Sequence, residues 1–439
     1  MKVEMSGFLI KQKQALKDLV KRLSEDYKYV SILGTDTSGT RYQLSRTGSS
    51  INESSWVERG FVSRVYNGKS YSEYSFNEID NMGDVEREIR QTIADNKTLI
   101  ENHGFNSVAY PLLEDEELTE SFLGEIESHP EQSSSEEIIN SLRSEMNRGL
   151  KLADYLIDLR MIYEYAHVSK LFISSGKELE QSYVWSQGYS YPIGQNEKGM
   201  KYSYRSFSGM KGIELLEEMK AGVEPAVLEV EELLNAERLL PGEYEIICAV
   251  ASAGVNMHDG AKAAFEVSSY LFDDEGTLGT DTQVIEKGIL KSGISDLLSA
   301  AKLGTVPTGN GKRESFERKA YSRMTNTFFS PGKDKLEDMI ASVKKGYLLE
   351  NYTCGMEDPK NWGIQCVALK GKEILNGKLT GRTVAPVYLT GFVPDLLQSI
   401  SMISGDLKLS GSGACGKGYK EFVKTSTGGP YLKTKGRLA

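Results

Sequence analysis

The sequence predicts an α+β fold, and three observations lead there. Before Pro241 the apolar residues switch repeatedly between a period near 3.6 and a period of 2, so helices and strands alternate. Tyr and Ser crowd residues 183–209, a composition suited to half-exposed strands. Beyond Pro241-Gly242 glycine is frequent and helical spacing is rare, so this part is largely β. These shifts divide the 439 residues into an N-terminal α/β domain (1–105), a middle domain of helices and Tyr-rich strands (106–238) and a mostly β C-terminal domain (239–439).

In the first domain, Leu9, Leu16, Leu19, Val20 and Leu23 fall close to helical spacing and predict an amphipathic helix over 7–23. Residues 29–33 and 60–66 read as strands. Asn67-Gly68 follows and predicts a type I′ hairpin turn into a strand over 69–74. Val85, Ile89 and Ile93, four residues apart in a charged background, make a second helix.

Residues 114–127 are acidic with few apolar side chains and mark the boundary. Ser133-Ser134-Ser135, followed by Glu136-Glu137, offers an N-cap to a helix running toward Leu156. Residues 157–174 alternate as strands do. The Tyr/Ser-rich run after them, with turns at Gly188, Gly194 and Gly199, is a half-exposed sheet or the lining of a substrate groove. Residues 213–234 return to helical spacing.

The third domain opens with an apolar strand over 244–250. Its expected helices are 255–272, 336–344 and 393–403, the last with Pro394 in its first turn. Strands over 364–369 and 371–378 are punctuated by a turn at Asn376-Gly377.

Charge and cysteine usage narrow the function classes. The net charge of −10 is uneven: residues 111–150 hold eleven acids against two arginines, whereas residues 360–439 hold twelve bases against four acids. The C-terminal bases are scattered, as on solvated strand edges, so nucleic acid is not an expected partner. No apolar run approaches the roughly 20 residues of a membrane span, so no membrane association is expected. The charged N-terminal segment lacks the apolar core of a secretory signal, which points to the cytoplasm. Cys248, Cys354, Cys366 and Cys415 form no CxxC pair and are expected as reduced thiols.

The segment 253–266 carries His258-Asp259 at the start of the helix expected there. Taken alone, such a pair is a metal ligand with its base, or simply a packed residue beside an acid that favours the helix dipole. Around it stand Pro-Thr-Gly-Asn-Gly-Lys-Arg-Glu-Ser at 307–315, Arg-Met-Thr-Asn-Thr at 323–327, Pro331-Gly332 and Gly-Asp-Leu-Lys-Leu-Ser-Gly-Ser-Gly-Ala-Cys-Gly-Lys at 405–417. With the early Glu58-Arg59-Gly60, Arg64-Val65 and Asn67-Gly68-Lys69, this ordered set resembles the TldD/PmbA family. That family was once labelled modulators of DNA gyrase and is regarded as peptidases acting on unfolded and leader peptides. The resemblance is strong over 241–430 and looser over the first hundred residues.

The resemblance implies a hydrolase in which one zinc or iron ion is held by two histidines of an HExxxH helix and by a cysteine near the C-terminus. The motif glutamate is then the general base for a metal-bound water. Carried over, His258 and Cys415 are metal ligands and Asp259 stands at the catalytic base position. Glu266 matches an acidic position of the extended motif and offers an oxygen ligand. The motif is degenerate here: Asp259 is one methylene shorter than glutamate, and Ala263 stands where the second histidine belongs. The remaining histidines, His103, His129 and His167, lie in the earlier domains.

Two functions follow from the resemblance. One is a metallopeptidase subunit cleaving extended peptides through a weakened metal site, or one with no metal at all. The other is a catalytically inactive, peptide-binding partner in a homodimer or heterodimer of TldD/PmbA-type chains that encloses an interior cavity. Asn310, Arg313, Arg323 and Asn326 are either donors to a bound peptide or parts of tight turns and ion pairs. Gly309, Gly311, Gly411 and Gly413 suit positive φ or close backbone approach. The 308–313 segment lacks Walker spacing, which excludes a nucleotide-binding loop. Cys415, among glycines and near Lys417, also has a role as a nucleophile with His258 as its base, provided the fold brings them within reach.

Overall fold

The computed structural model describes residues 1–77, 79–102, 109–248, 256–358, 360–417 and 421–439. His103, Ala249 and Val250 of the expected strand, and 253–255 of the motif segment lie outside the described residues.

The N-terminal elements follow the apolar spacing. In α1 (Gly7–Ser24) the cap is Ser6, whose Oγ accepts from the Phe8 and Leu9 N–H groups, and the five apolar residues of the expected stripe are buried. Then come β1 (Val30–Ser45), β2 (Gly48–Glu53), β3 (Glu58–Tyr66), β4 (Tyr71–Phe76), α2 (Met82–Asn102) and β5 (Leu118–Leu123). They are followed by α3 (Ser135–Leu150), β6 (Leu156–Ser174), β7 (Lys177–Asn196), β8 (Gly199–Tyr202), β9 (Arg205–Gly209) and α4 (Leu215–Leu234). Ser134 caps α3 through a reciprocal capping box with Glu137.

All nine strands form one sheet in the order β4-β3-β1-β6-β7-β5, with β2 on β1 and both β8 and β9 on β7. β1 pairs β6 from Ser31↔Ser174 to Leu44↔Met161, so residues on the two sides of the expected 105/106 boundary share a sheet. The strand period of 2 gives this sheet two different faces. One face, with Ile32, Leu171 and Ile173, packs under α1 and α2. Farther along the same face, Tyr42, Leu44, Leu159, Met161 and Tyr163 pack under α3 and α4. The other face, with Leu33, Val62, Phe172 and Leu179, receives Phe272 from the C-terminal half.

The C-terminal half is largely β. A seven-stranded sheet is built around Gly242–Cys248, Lys345–Asp358, Gly363–Leu375 and Leu432–Leu438. A six-stranded sheet has the short strand Met257–Asp259 between Thr282–Glu286 and Asn326–Phe329. The helix expected over 255–272 is therefore corrected: Met257–Asp259 is a strand, and turns follow it. The reason is competition for the backbone, from distant segments as well as from nearby side chains. A Cβ on Gly260 would lie 1.9 Å from the Thr280 carbonyl oxygen. Ser269 Oγ donates to the Ala264 carbonyl, and Asp273 Oδ1 accepts from the Glu275 and Thr277 N–H groups.

The two Asn-Gly turns differ. Asn376-Gly377, at φ +49° and +76°, joins Gly363–Leu375 to Lys378–Val384 as a type I′ turn should. Asn67 instead heads the four-residue loop 67–70, its Oδ1 accepting from the Lys69 and Ser70 N–H groups, with Gly68 alone in the loop at positive φ. No described helix is long and apolar enough to cross a membrane.

Candidate functional site

His258 and Asp259 are consecutive residues of a strand, so their side chains leave on opposite faces. His258 is half-buried: its ring stacks on Phe328 at 5.7 Å between centroids, and its Nδ1 lies 2.7 Å from Asp281 Oδ1. Asp259 is only 2% exposed. Its Oδ1 accepts from Asn310 Nδ2 at 2.7 Å and Thr325 Oγ1 at 2.8 Å. Its Oδ2 accepts from the Thr325 N–H at 3.2 Å and from Thr327 Oγ1. A carboxylate with four donors has little acceptor capacity left for a water proton.

The other motif residues build the scaffold around this carboxylate. Asn310 is fully buried; it also donates to the Arg323 carbonyl and accepts from Thr308 Oγ1 at 2.7 Å. Asn326 donates to Gly260, Ala264 and Ser269 and accepts from Ser426 Oγ at 2.7 Å. Arg313 reaches the N-terminal sheet, where its two terminal nitrogens pair with the Glu73 carboxylate at 2.6 and 3.0 Å. Arg323 Nη2 donates to the Cys415 and Glu421 carbonyls, and its Nε and Nη1 have no partner among the described residues. Gly309 takes φ +67°, and a Cβ on Gly311 would meet the Glu275 carboxylate at 2.4 Å, as tight turns and close approach require.

The expected ligands are not brought together. Glu266 is buried and accepts from Ser208 Oγ at 2.9 Å and from the Val267 N–H at 2.6 Å. Cys415 sits in the strand Ala414–Lys417, paired with Glu421–Lys424, and its thiol is half-exposed. Among the described residues, the group of three side chains able to hold a metal is His129, Glu131 and His167, and it includes none of His258, Cys415 or Glu266. With Ala263 lacking a donor and Asp259 committed, these residues do not fit the metal that the family motif implies.

What the fold does build is a cavity of about 90 Å³ on the sheet face away from the four helices, lined in part by Trp56, Glu58, Tyr183, Trp185, Lys312 and Lys424. Lys424 Nζ donates to Gln187 Oε1 at 2.5 Å and lies 4.7 Å from the Trp185 ring centroid. Lys312 Nζ donates to Ser268 Oγ at 2.8 Å and to the Met324 and Lys424 carbonyls. Burial pushes both amines down to about 7, and it pushes the Glu58 carboxyl up to about 7. Lys170 lies beside them, paired with Asp274. Sequence reasoning missed Lys424 and Lys312 as site residues; the one signal was the Tyr/Ser-rich run, whose Tyr183 and Trp185 do line this cavity.

Comparison with known proteins bears on the same half of the chain. The profile of the PmbA/TldA metallopeptidase C-terminal domain matches residues 234–436. A metalloprotease TldD homolog of Buchnera aphidicola subsp. Acyrthosiphon pisum is 36% identical over 185 residues, 42% of this chain and 38% of that protein. A zinc metalloprotease TldD homolog of Saccharolobus solfataricus is 34% identical over 164 residues, 37% of this chain and 36% of that one. The match thus spans about two-fifths of the length of these curated relatives. Among solved structures, a Thermotoga maritima protein named as a modulator of DNA gyrase superposes with a TM-score of 0.76 at 16% identity, covering 98% of this chain and all of that one. TldE from Thermococcus kodakarensis gives 0.74 at 16% identity, covering 97% of this chain and 100% of that chain. Those two likenesses establish the fold over nearly the whole chain. Residues 234–436 are accordingly a PmbA/TldD-type C-terminal domain, and the sequence likeness to the TldD/PmbA family rests on that part of the chain.

Proposed function

We propose that this chain is the peptide-binding, non-hydrolysing partner in a cytoplasmic heterodimer of TldD/PmbA type. The observation that carries the reading is the Asp259 carboxylate: at the position of the family's general base it is buried and holds four donors. Ala263 supplies no ligand at the position of the second histidine. The companion chain, with a complete HExxxH, then carries the hydrolysis.

Two features support a binding role. Met356, Trp362 and Phe392 are exposed, and the Val393 N–H donates to the Trp362 carbonyl, which sets Trp362 beside Phe392 at one corner of the seven-stranded sheet. Exposed apolar side chains at such a corner suit a partner surface. Lys424 and Tyr183 line the cavity and offer donors to peptide carbonyls. Asn310, Asn326 and Lys312 spend their donors inside the protein instead, and Arg313 pairs with Glu73.

The test is hydrolysis of an unstructured peptide by this chain alone, by a TldD-type chain with the complete motif, and by the two mixed. Co-elution of the pair and cleavage that depends on the companion's histidines are expected. Cleavage by this chain alone, lost in His258→Ala or Cys415→Ala, would overturn the reading.

A further inference from the structure

His129 and His167 are separated by α3 and the start of β6 in sequence, yet they meet on the helix-covered face of the nine-stranded sheet. Their ring centroids are 5.2 Å apart in an edge-on arrangement. Glu131 lies between them: His167 Nδ1 is 3.8 Å from Oε1 and His129 Nδ1 is 4.0 Å from Oε2. One donor atom from each of the three side chains falls within 4.8 Å of the others.

The hydrogen bonds around the group fix which atoms are free. His167 Nε2 lies 3.2 Å from the Glu4 carbonyl oxygen and 3.0 Å from Ser182 Oγ. A carbonyl can only accept, so Nε2 carries a proton, and Nδ1 faces the carboxylate either as the second N–H of an imidazolium or, in the neutral ring, as a lone pair open to a metal. The Glu131 carboxylate takes a cation at this point, and a metal ion held by the neutral ring would replace the imidazolium there. Ser38 Oγ donates to Glu131 Oε1 at 2.7 Å and orients the carboxylate. This is the outer support that metal-binding side chains commonly have. His129 Nδ1 accepts only a long bond, 3.3 Å, from the Glu131 N–H, and that contact is the one given up on binding.

Donor chemistry and spacing select the ion. Two imidazoles and one carboxylate suit zinc or a neighbouring divalent transition metal, and offer too few oxygens for calcium or magnesium. Tetrahedral zinc with bonds near 2.1 Å holds its donors about 3.4 Å apart. The observed 3.8 and 4.0 Å, made to the two oxygens of the carboxylate, and a spacing within 4.8 Å for the group as a whole, close to that with side-chain shifts of about half to one and a half ångström. His129 and His167 are held by packing, while the Glu131 side chain is 42% exposed, so water can complete the coordination. We propose that His129, Glu131 and His167 bind one divalent transition metal of the zinc type. The site lies on the opposite sheet face from the lysine-lined cavity and ties the 129–131 turn to β6, with Glu4 and Ser38 behind it. Its role is to staple the chain segments between the two helix pairs.

The test uses the full chain, stripped with chelator and titrated with zinc against a chromophoric competitor, with cobalt substituted to read ligand geometry from its visible spectrum. One equivalent is expected in the unmodified protein and equally in His258→Ala and Cys415→Ala. His167→Ala and Glu131→Gln should bind at least roughly tenfold more weakly. Glu131→Gln keeps the shape and lies at the surface, so it remains informative if His167→Ala fails to fold. No stoichiometric zinc, or binding unchanged in both variants, overturns the proposal. Zinc lost only in His258→Ala and Cys415→Ala would overturn it together with the non-hydrolysing reading, whereas zinc lost only in the Glu131 and His167 variants leaves that reading intact.

Discussion

The side-chain amide of Asn310 donates to Asp259 Oδ1 across 2.7 Å, deep in the C-terminal half. That bond joins the 307–315 segment to the His258-Asp259 strand, and Thr325 and Thr327 attach the 323–327 segment to the same carboxylate. Asn326, on the strand that carries Thr327, ties in Ser426. The ordered motifs therefore converge on an acid that organises the domain. The resemblance implies a base at this position that takes a proton from a water, and here its lone pairs are filled.

Asp259→Ala should unfold the domain more readily. Removing the acceptor strands four buried donors, and breaking such a network from one side costs about 3–5 kcal/mol. Urea denaturation followed by circular dichroism would measure it. Asp259→Glu restores the family residue but adds a methylene to a filled site, at about 1–3 kcal/mol. It should confer no peptide hydrolysis; cleavage by that variant alone would sink the idea that the geometry, and not one missing methylene, silences the position.

Acid should loosen the contact between the two halves. Glu73 sits between Arg64 and Arg313; burial opposes its charge, yet the two guanidiniums hold its carboxyl down to about 2 from 4.5. A folded-state pKa below the unfolded one gives stability that is complete above about 4.5 and lost as the pH falls toward 2. The shift is worth roughly 3 kcal/mol. Glu73→Gln should lose stability at neutral pH and show a shallower acid dependence over that window. An acid-unfolding curve identical to that of the unmodified protein would refute this.

How far the sequence discloses all this depends on the range of the interactions. α1, α3 and α4 are legible because their signals are local: a leucine stripe, a Ser134–Glu137 box, a run of helical spacing. The stretch after Met257 misleads for the same reason. Ala261, Ala264, Phe265 and Val267 imitate a helix, while the contacts that forbid one come from Thr280, Asn326 and Gly411, distant in sequence. Pairing of β1 with β6 and the meeting of His129 with His167 are also long-range, and no local pattern encodes them. Lys424 looks like any basic residue of the C-terminal third until the fold closes Trp56 and Trp185 around it.

Stability should climb on the alkaline side. Lys424 and Lys312, pushed down to about 7 by burial, give up above that pH a proton that the unfolded chain keeps up to 10.5. The unfolded state binds more protons in that interval, so raising the pH above about 7 favours the folded state. Each amine contributes at most about 1.4 kcal/mol per pH unit. Lys424→Met should reduce the slope of urea midpoint against pH by about half, since Lys312 remains. A flat profile in the unmodified protein would show that both amines stay charged.

The exposed corner at Met356, Trp362 and Phe392 should govern association and not folding. Trp362 is 55% exposed and Met356 71%, so neither contributes much to the core. Surface substitutions of this kind usually change stability by no more than about 0.5 kcal/mol. At a protein interface an aromatic anchor commonly contributes about 2 kcal/mol or more, because it leaves water entirely on docking. Trp362→Ser and Met356→Glu should therefore leave the urea midpoint in place while weakening binding to a TldD-type companion by more than about tenfold. Sedimentation velocity on mixtures of the two chains separates these effects. Undiminished association in both variants would move the partner surface elsewhere on the molecule, and a fall in midpoint matching the loss of binding would mark the corner as part of the fold.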